Sequence, residues 1–167
     1  MLIRVAADTD WPQVWPFFSR IVAEGKSYAF PDDLTLETAR PWWMEPPPGR
    51  TVVAVTDGTD GPEGTVLGSA KMGPNRPGRG AHVATASFMV DPAHSGRGVG
   101  RALATYVLEW ATFAGYRAMQ FNAVVETNAP AVSLWRSVGF EVLTTVPEAF
   151  DHATDGLVGL HVMYRKL

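Results

Sequence analysis

The segment from Val90 to Leu103, V-D-P-A-H-S-G-R-G-V-G-R-A-L, constrains this chain more than any other stretch. An apolar run ends there, three glycines follow at alternate positions, and a helical pattern of apolar residues begins. Gly96, Gly98 and Gly100 let the backbone curl so that successive N–H groups point to one side, which is how main chain alone makes an anion cradle. The helix that follows adds its positive dipole end and its unpaired first-turn N–H groups. The charges agree with that reading. No carboxylate lies between Asp91 and Glu109, whereas Arg97 and Arg101 sit in the turn, where a cation costs about 0.3–1 kcal/mol unless an anion offsets it. The spacing excludes two common phosphate loops. Arg101-Ala102 follows Gly100 where a Walker A loop needs Lys-Ser or Lys-Thr. A dinucleotide fingerprint needs Gly or Ala at its sixth position, and the two possible registers place Arg101 or Leu103 there.

Ser95-Gly96-Arg97-Gly98-Val99-Gly100 resembles motif A of the GCN5-related N-acetyltransferases, [Gln/Arg]-x-x-Gly-x-[Gly/Ala], with Ser95 standing where that family prefers Arg or Gln. Downstream, N-A-P-A-V-S-L-W-R-S-V-G-F, from Asn128 to Phe140, resembles the family's motif B, with Trp135 at its tyrosine position. Each piece also has a purely structural reading. Val132, Trp135 and Val138 have the spacing of a buried helix face, Gly139 suits a helix C-cap, and Asn128 before Pro130 is a helix N-terminal signal. Two motifs in the right order make the resemblance far more specific than either alone, and it extends over 1–167 as a single domain. The first eighty residues share only the order of elements.

The resemblance implies an α/β (α+β) fold with a mixed, mainly antiparallel central sheet flanked by helices. It implies acetyl-coenzyme A as co-substrate, no metal, and a primary amine that attacks the thioester directly in a ternary complex. The backbone of Phe88, Met89 and Val90 is then expected to pair with the pantetheine arm. Ser95, Gly96, Arg97, Gly98, Val99, Gly100 and Arg101 are expected to hold the pyrophosphate, and Asn128 to cap its helix while approaching the cofactor.

Composition sets the outer limits. A chain of 167 residues is long enough to bury a core without staples, and it has no cysteine, which removes sulfur nucleophiles, thiolate metal sites and disulfides. A net charge of −3 and a pI near 5.8 argue against a nucleic-acid scaffold. No apolar run approaches membrane-spanning length and no leader pattern opens the sequence, so a cytoplasmic protein without membrane contact is expected. The tryptophans leave a homodimer face open.

Periodicity predicts strand Leu2–Ala6, a helix capped by Asp10 and Gln13 that ends at Gly25 with a kink at Pro16, and a Pro41-interrupted helix over Leu34–Met44. Strands follow at Thr51–Thr56, Thr65–Met72 and His82–Val90, the first two joined by a hairpin connection over Asp57–Gly64. Helix Arg101–Gly115, strand Ala118–Val125, helix Pro130–Val138 and strands Phe140–Val146 and Leu157–Arg165 complete the order.

The chemistry needs a base for an amine whose free pKa is about 10.4 if lysine-like. His82, at the start of a cofactor-side strand, and Glu24, in the first helix, are the candidates. Trp135 is no acid, so the thiolate is expected to leave with little assistance. Acceptor selectivity is expected from Ser27–Asp33, from Trp42-Trp43-Met44, and from the loop Pro74–Gly80, whose Arg76 and Arg79 suit a carboxylate. These features favour a small amino-acid-like amine and a phosphinothricin-type enzyme. The alternatives are a peptide or protein N-acetyltransferase, a non-catalytic acetyl-coenzyme A binding module, and a dinucleotide binder whose one encouraging residue is Glu126.

Overall fold

The computed structural model of the chain describes residues 1–57 and 64–167, so the connection predicted over Asp57–Gly64 falls largely outside the described residues. The β-branched and apolar runs form strands β1 (Leu2–Val5), β2 (Arg50–Val55), β3 (Val66–Pro74), β4 (Val83–Val90), β5 (Ala118–Val125), β6 (Glu141–His152) and β7 (Gly156–Lys166). The segments with helical periodicity form α1 (Trp11–Ala23), α2 (Leu36–Trp43), α3 (Val99–Phe113) and α4 (Ala129–Ser137). One seven-stranded sheet has the order β1-β2-β3-β4-β5-β7-β6, and only β4 and β5 run parallel. The mixed, mainly antiparallel sheet between helices is therefore as expected.

Alternation along the strands divides the core in two, because successive side chains point to opposite faces. On one face Ala70, Met72 and Ala84 pack against Leu103 and Val107 of α3 and Trp135 of α4. On the other, Val53, Val66 and Met89 pack against Val14 and Phe18 of α1 and Trp43 of α2.

Strands β4 and β5 are in register only at Val83↔Ala118 and Ala84↔Met119. Beyond Ala84 they diverge, which leaves one edge of β4 facing a gap in the middle of the sheet.

Several boundaries and caps differ from expectation, and α2 runs from Leu36 to Trp43 without the expected interruption at Pro41. Helix α3 begins at Val99, two residues early, because Gly98 adopts φ +79° and serves as N-cap. Strand β6 continues past Val146 to His152. Pro147 lies within it, because β6 is the outermost strand, where a missing N–H is tolerated, and the register shifts between Val146 and Phe150 with Glu148 at φ 52°. Asp10 does not cap α1. Its carboxylate accepts hydrogen bonds from Arg4 at 2.7 and 2.8 Å and from the Ala7 N–H at 2.7 Å, while Gln13 accepts from Val66 N–H at 3.2 Å. Helix α1 runs on through Pro16.

Candidate active site at the splayed strands

The glycine turn takes the shape its sequence requires. Gly96 and Gly98 both have positive φ, 75° and 79°, and a Cβ built on either would meet no atom within 4 Å. The first backbone bond of α3 runs from Ala102 N–H to Gly98 C=O at 3.0 Å, so the N–H groups of Val99, Gly100 and Arg101 have no partner within the helix. Val99 offers only its main chain, since its side chain is 2% exposed and packs in the core. Gly100 lets the helix approach its neighbours, with a built Cβ 3.5 Å from Leu134 and 3.6 Å from Val90. Arg97 is exposed, and Arg101 donates to Ser137 Oγ at 3.0 Å. Asn128 caps α4 by accepting from Ala131 N–H at 3.2 Å.

The parity of β4 determines what its open edge presents. Ser87 and Met89 lie opposite Lys71 and Ser69, and Asp91 N–H donates to Leu67 C=O at 3.0 Å, so the odd-numbered peptide groups point to β3. The even-numbered ones, those of Ala86, Phe88 and Val90, point into the gap. Both groups of Phe88 already have a partner. Tyr28 Oη donates to its C=O at 2.6 Å and accepts from its N–H at 3.0 Å. The Tyr28 ring stacks on Phe30 at 5.2 Å and meets Trp43 edge-on at 6.1 Å. Desolvation among these rings pushes its phenol well above the ordinary range, against the opposing pull of the Phe88 hydrogen bond.

A cleft of about 660 Å³ follows the gap and joins this edge to the glycine turn. Ser95 and Gly100 line one end, Phe88, Met89 and Val90 form the floor, and Asn128, Leu134 and Trp135 form one wall. Glu24, Ser27, Tyr28, Phe30 and Trp42 stand at the other end with Lys71, Thr85, Ser87 and Asn122. Glu24 is its lining carboxylate and takes a hydrogen bond from Arg20 at 3.3 Å. Lys71, the cationic residue of the lining, lies 3.4 Å from Glu45.

Several of the expected residues therefore meet and others do not. Phe88, Met89, Val90, Ser95, Gly100, Asn128 and Glu24 share the cleft. His82 is not among its lining residues: it is exposed, and its C=O accepts from Arg117 N–H at 2.9 Å. Arg76 and Arg79 are exposed and also lie outside the lining. The tryptophan pair splits, with Trp42 on the cleft and Trp43 wholly buried and donating to Ser69 Oγ at 2.9 Å. Glu126 accepts from Gly159 N–H, a structural role that leaves little for a ribose. Trp135 is 7% exposed and packs 4.7 Å from Phe88 and 4.8 Å from Phe121. Sequence reasoning passed over Lys71, whose signal was that it is the one charged residue of its strand. It also missed Tyr28, which lay unmarked in a segment flagged only as a whole. No group of three or more His, Asp or Glu side chains suited to a metal ion occurs among the described residues. No helix among them is long and apolar enough to cross a membrane.

Residues 15–140 match the model of the acetyltransferase (GNAT) family. A GCN5-related N-acetyltransferase from Kribbella flavida is 59% identical and superposes with a TM-score of 0.93 over 99% of this chain and 97% of that one. A ribosomal-protein-alanine N-acetyltransferase from Brucella melitensis is 25% identical, with a TM-score of 0.86 over 100% of both chains. Among curated sequences, the N-acetyltransferase aca1 of Schizosaccharomyces pombe is 37% identical over 76 residues, which is 46% of this chain and 36% of that protein. The match thus spans about a third of that relative's length.

Proposed function

The chain belongs to the acetyltransferase (GNAT) family, and from that premise we propose that it transfers the acetyl group of acetyl-coenzyme A to the amine of a small, amino-acid-like molecule by direct attack. One observation carries the reading: a single cleft joins a helix N-terminus whose first N–H groups have no partner within the helix, a strand edge without a neighbouring strand, and a carboxylate at the far end. That sequence of features suits a pyrophosphate, an extended amide-bearing arm and an amine, in that order.

The residues present fit the cofactor. Positive φ at Gly96 and Gly98 and the open space around them leave the backbone approachable by phosphate oxygens, and Arg97 adds charge beside it. The cofactor supplies a thioester whose acyl carbon the amine attacks, with the thiol as leaving group. The residues of the chain then bind and orient. Val90 presents its N–H and C=O to the gap as pairing groups for the arm. Phe88 is a different case, because its two groups are held by Tyr28. Main-chain polarisation of the thioester carbonyl therefore falls to Val90, or to Phe88 once the Tyr28 oxygen stops accepting from it. A preorganised donor of this type contributes about 2.7–4 kcal/mol.

Glu24 attracts the acceptor's ammonium and passes its proton to water at the open end of the cleft. No lining group replaces the family's acid. Tyr28 is the phenol of the cleft, but its proton is committed to Phe88 C=O and its raised pKa makes it a poor donor. A thiol of pKa about 8.5 leaves adequately without one. Lys71, at the same end of the cleft as Glu24 and 3.4 Å from Glu45, takes the place of Arg76 and Arg79 as the cation offered to an acceptor carboxylate. The test is a thiol-release screen with acetyl-coenzyme A across amino acids, polyamines and short peptides. Release with an amino acid supports the reading; acetyl-coenzyme A binding without release from any amine would leave a binding module.

A further inference from the structure

Tyr28 stands where the chemistry needs an open place. Along the free edge of β4, an arm that leaves the glycine turn meets Val90 first, and the next residue whose peptide groups face the gap is Phe88, two residues or about 6.6 Å further toward the acceptor end. Glu24 lines that end, so the carbonyl that an amine held there attacks has to lie beside Phe88 and not beside Val90. In the structure Phe88 N–H is taken. Tyr28 Oη accepts from it at 3.0 Å and donates to Phe88 C=O at 2.6 Å, so one phenol oxygen fills both pairing positions of the residue. Desolvation keeps the phenol protonated, which lets the hydroxyl serve both groups at once.

The way Tyr28 is held makes it a removable occupant. Its ring stacks on Phe30 at 5.2 Å and meets Trp43 edge-on at 6.1 Å, and the residue lines the cleft together with Ser27, Ala29 and Phe30. Residues 24–35, which carry it, form neither helix nor strand, so the hydroxyl can withdraw without breaking a ladder. A ligand displaces it only by offering Phe88 N–H another acceptor, because a ligand shifts an equilibrium only by its difference in affinity for the two states. A thioester carbonyl is such an acceptor. Coenzyme A ends in a thiol instead, whose sulfur accepts weakly.

We propose that Tyr28 is the residue through which the site distinguishes acetyl-coenzyme A from coenzyme A: its hydroxyl occupies Phe88 N–H in the free and the product-bound enzyme, and yields that N–H to the acyl oxygen of the donor. Resting on the acetyltransferase reading above, this assigns polarisation of the carbonyl to Phe88 N–H and makes Tyr28 a positioning residue that acts through it. The cycle follows from the same geometry. Transfer moves the acyl group from sulfur to the amine nitrogen, departure of the acetylated amine frees Phe88 N–H, and Tyr28 closes on it again while coenzyme A is still bound.

Calorimetry with both ligands, on wild type and on Tyr28→Phe, tests this. Phe keeps the ring stack and removes the occupant, so acetyl-coenzyme A no longer has to displace the two Tyr28 hydrogen bonds and should bind about fivefold tighter or more, while coenzyme A affinity stays within about twofold. General damage to the cleft would move both ligands together. Wild-type protein labelled with meta-fluorotyrosine gives a second readout that needs no Tyr28 variant to fold. The chain has four tyrosines, and Tyr106→Phe, Tyr116→Phe and Tyr164→Phe assign the Tyr28 fluorine resonance by elimination. That resonance should move on saturation with acetyl-coenzyme A and stay near its free position with coenzyme A. Equal changes in affinity for the two ligands in Tyr28→Phe, weaker acetyl-coenzyme A binding in that variant, or the same resonance position with both ligands would each overturn the proposal. Wild type that binds neither ligand would instead overturn the acetyltransferase reading, and the role of Tyr28 with it.

Discussion

Replacing Tyr28 by Phe tests whether its hydroxyl holds the β4 edge as the distances state. The substitution leaves the ring stacked on Phe30 and removes two hydrogen bonds, one donated to Phe88 C=O at 2.6 Å and one accepted from Phe88 N–H at 3.0 Å. Each is worth about 0.5–1.5 kcal/mol net, so the variant should be about 1–3 kcal/mol less stable at pH 8. The pH dependence carries a second signature. Desolvation raises the folded-state pKa of Tyr28 above its unfolded value, so its contribution is fully present below about pH 10 and declines as pH rises beyond that. Above pH 10 the unfolded tyrosine ionises while the folded one keeps its proton, and wild type loses about 1.4 kcal/mol per pH unit that the variant does not lose. Urea unfolding at pH 8 and pH 11 should show the gap narrowing by about 1.4 kcal/mol. Tyr116 also has a raised pKa but is present in both proteins and cancels. A gap that is absent at pH 8, or the same at both pH values, would refute the reasoning.

Gly98→Val should still fold, at a cost of about 1–2 kcal/mol for a left-handed residue with a side chain, and should lose most of its acetyl-coenzyme A affinity by calorimetry. Unchanged affinity in the folded variant would move the phosphate elsewhere. Replacing Arg97 and Arg101 together by Ala should weaken coenzyme A binding more at low salt than at high salt, because screening already attenuates exposed pairs; equal losses would reduce both to local roles such as the Arg101 bond to Ser137. His82→Ala should keep wild-type turnover, since the residue lies outside the cleft lining, whereas Glu24→Gln should lower turnover and leave acetyl-coenzyme A affinity intact. The reverse pattern in steady-state kinetics would exchange their roles.

Much of this architecture was legible because it rests on short-range rules. The glycines at 96, 98 and 100 gave the turn, the cap and the start of a helix from local backbone constraints alone, and periodicity placed all eleven main elements in order. What was illegible depended on distant partners. Asp10 has the chemistry of an N-cap, yet Arg4 and the Ala7 N–H take its carboxylate first. Pro147 would end an inner strand but is tolerated in an outer one, and strand position is a property of the whole sheet. His82 and Glu24 looked equivalent as bases in sequence. They separate only because β4 enters the cleft after its first residues, while α1 ends at the cleft's rim. Tyr28 and Phe88 are 60 residues apart, and no local pattern announces their contact.

The central claim is that the cleft between β4 and β5 brings acetyl-coenzyme A and a small amine together for direct transfer. Initial rates measured over a grid of both substrates, with the products weighed by mass spectrometry, test it most directly. The account predicts intersecting double-reciprocal lines, one acetylated amine per thiol released, and a protein whose mass never changes. Parallel lines with an acetylated protein intermediate would contradict it.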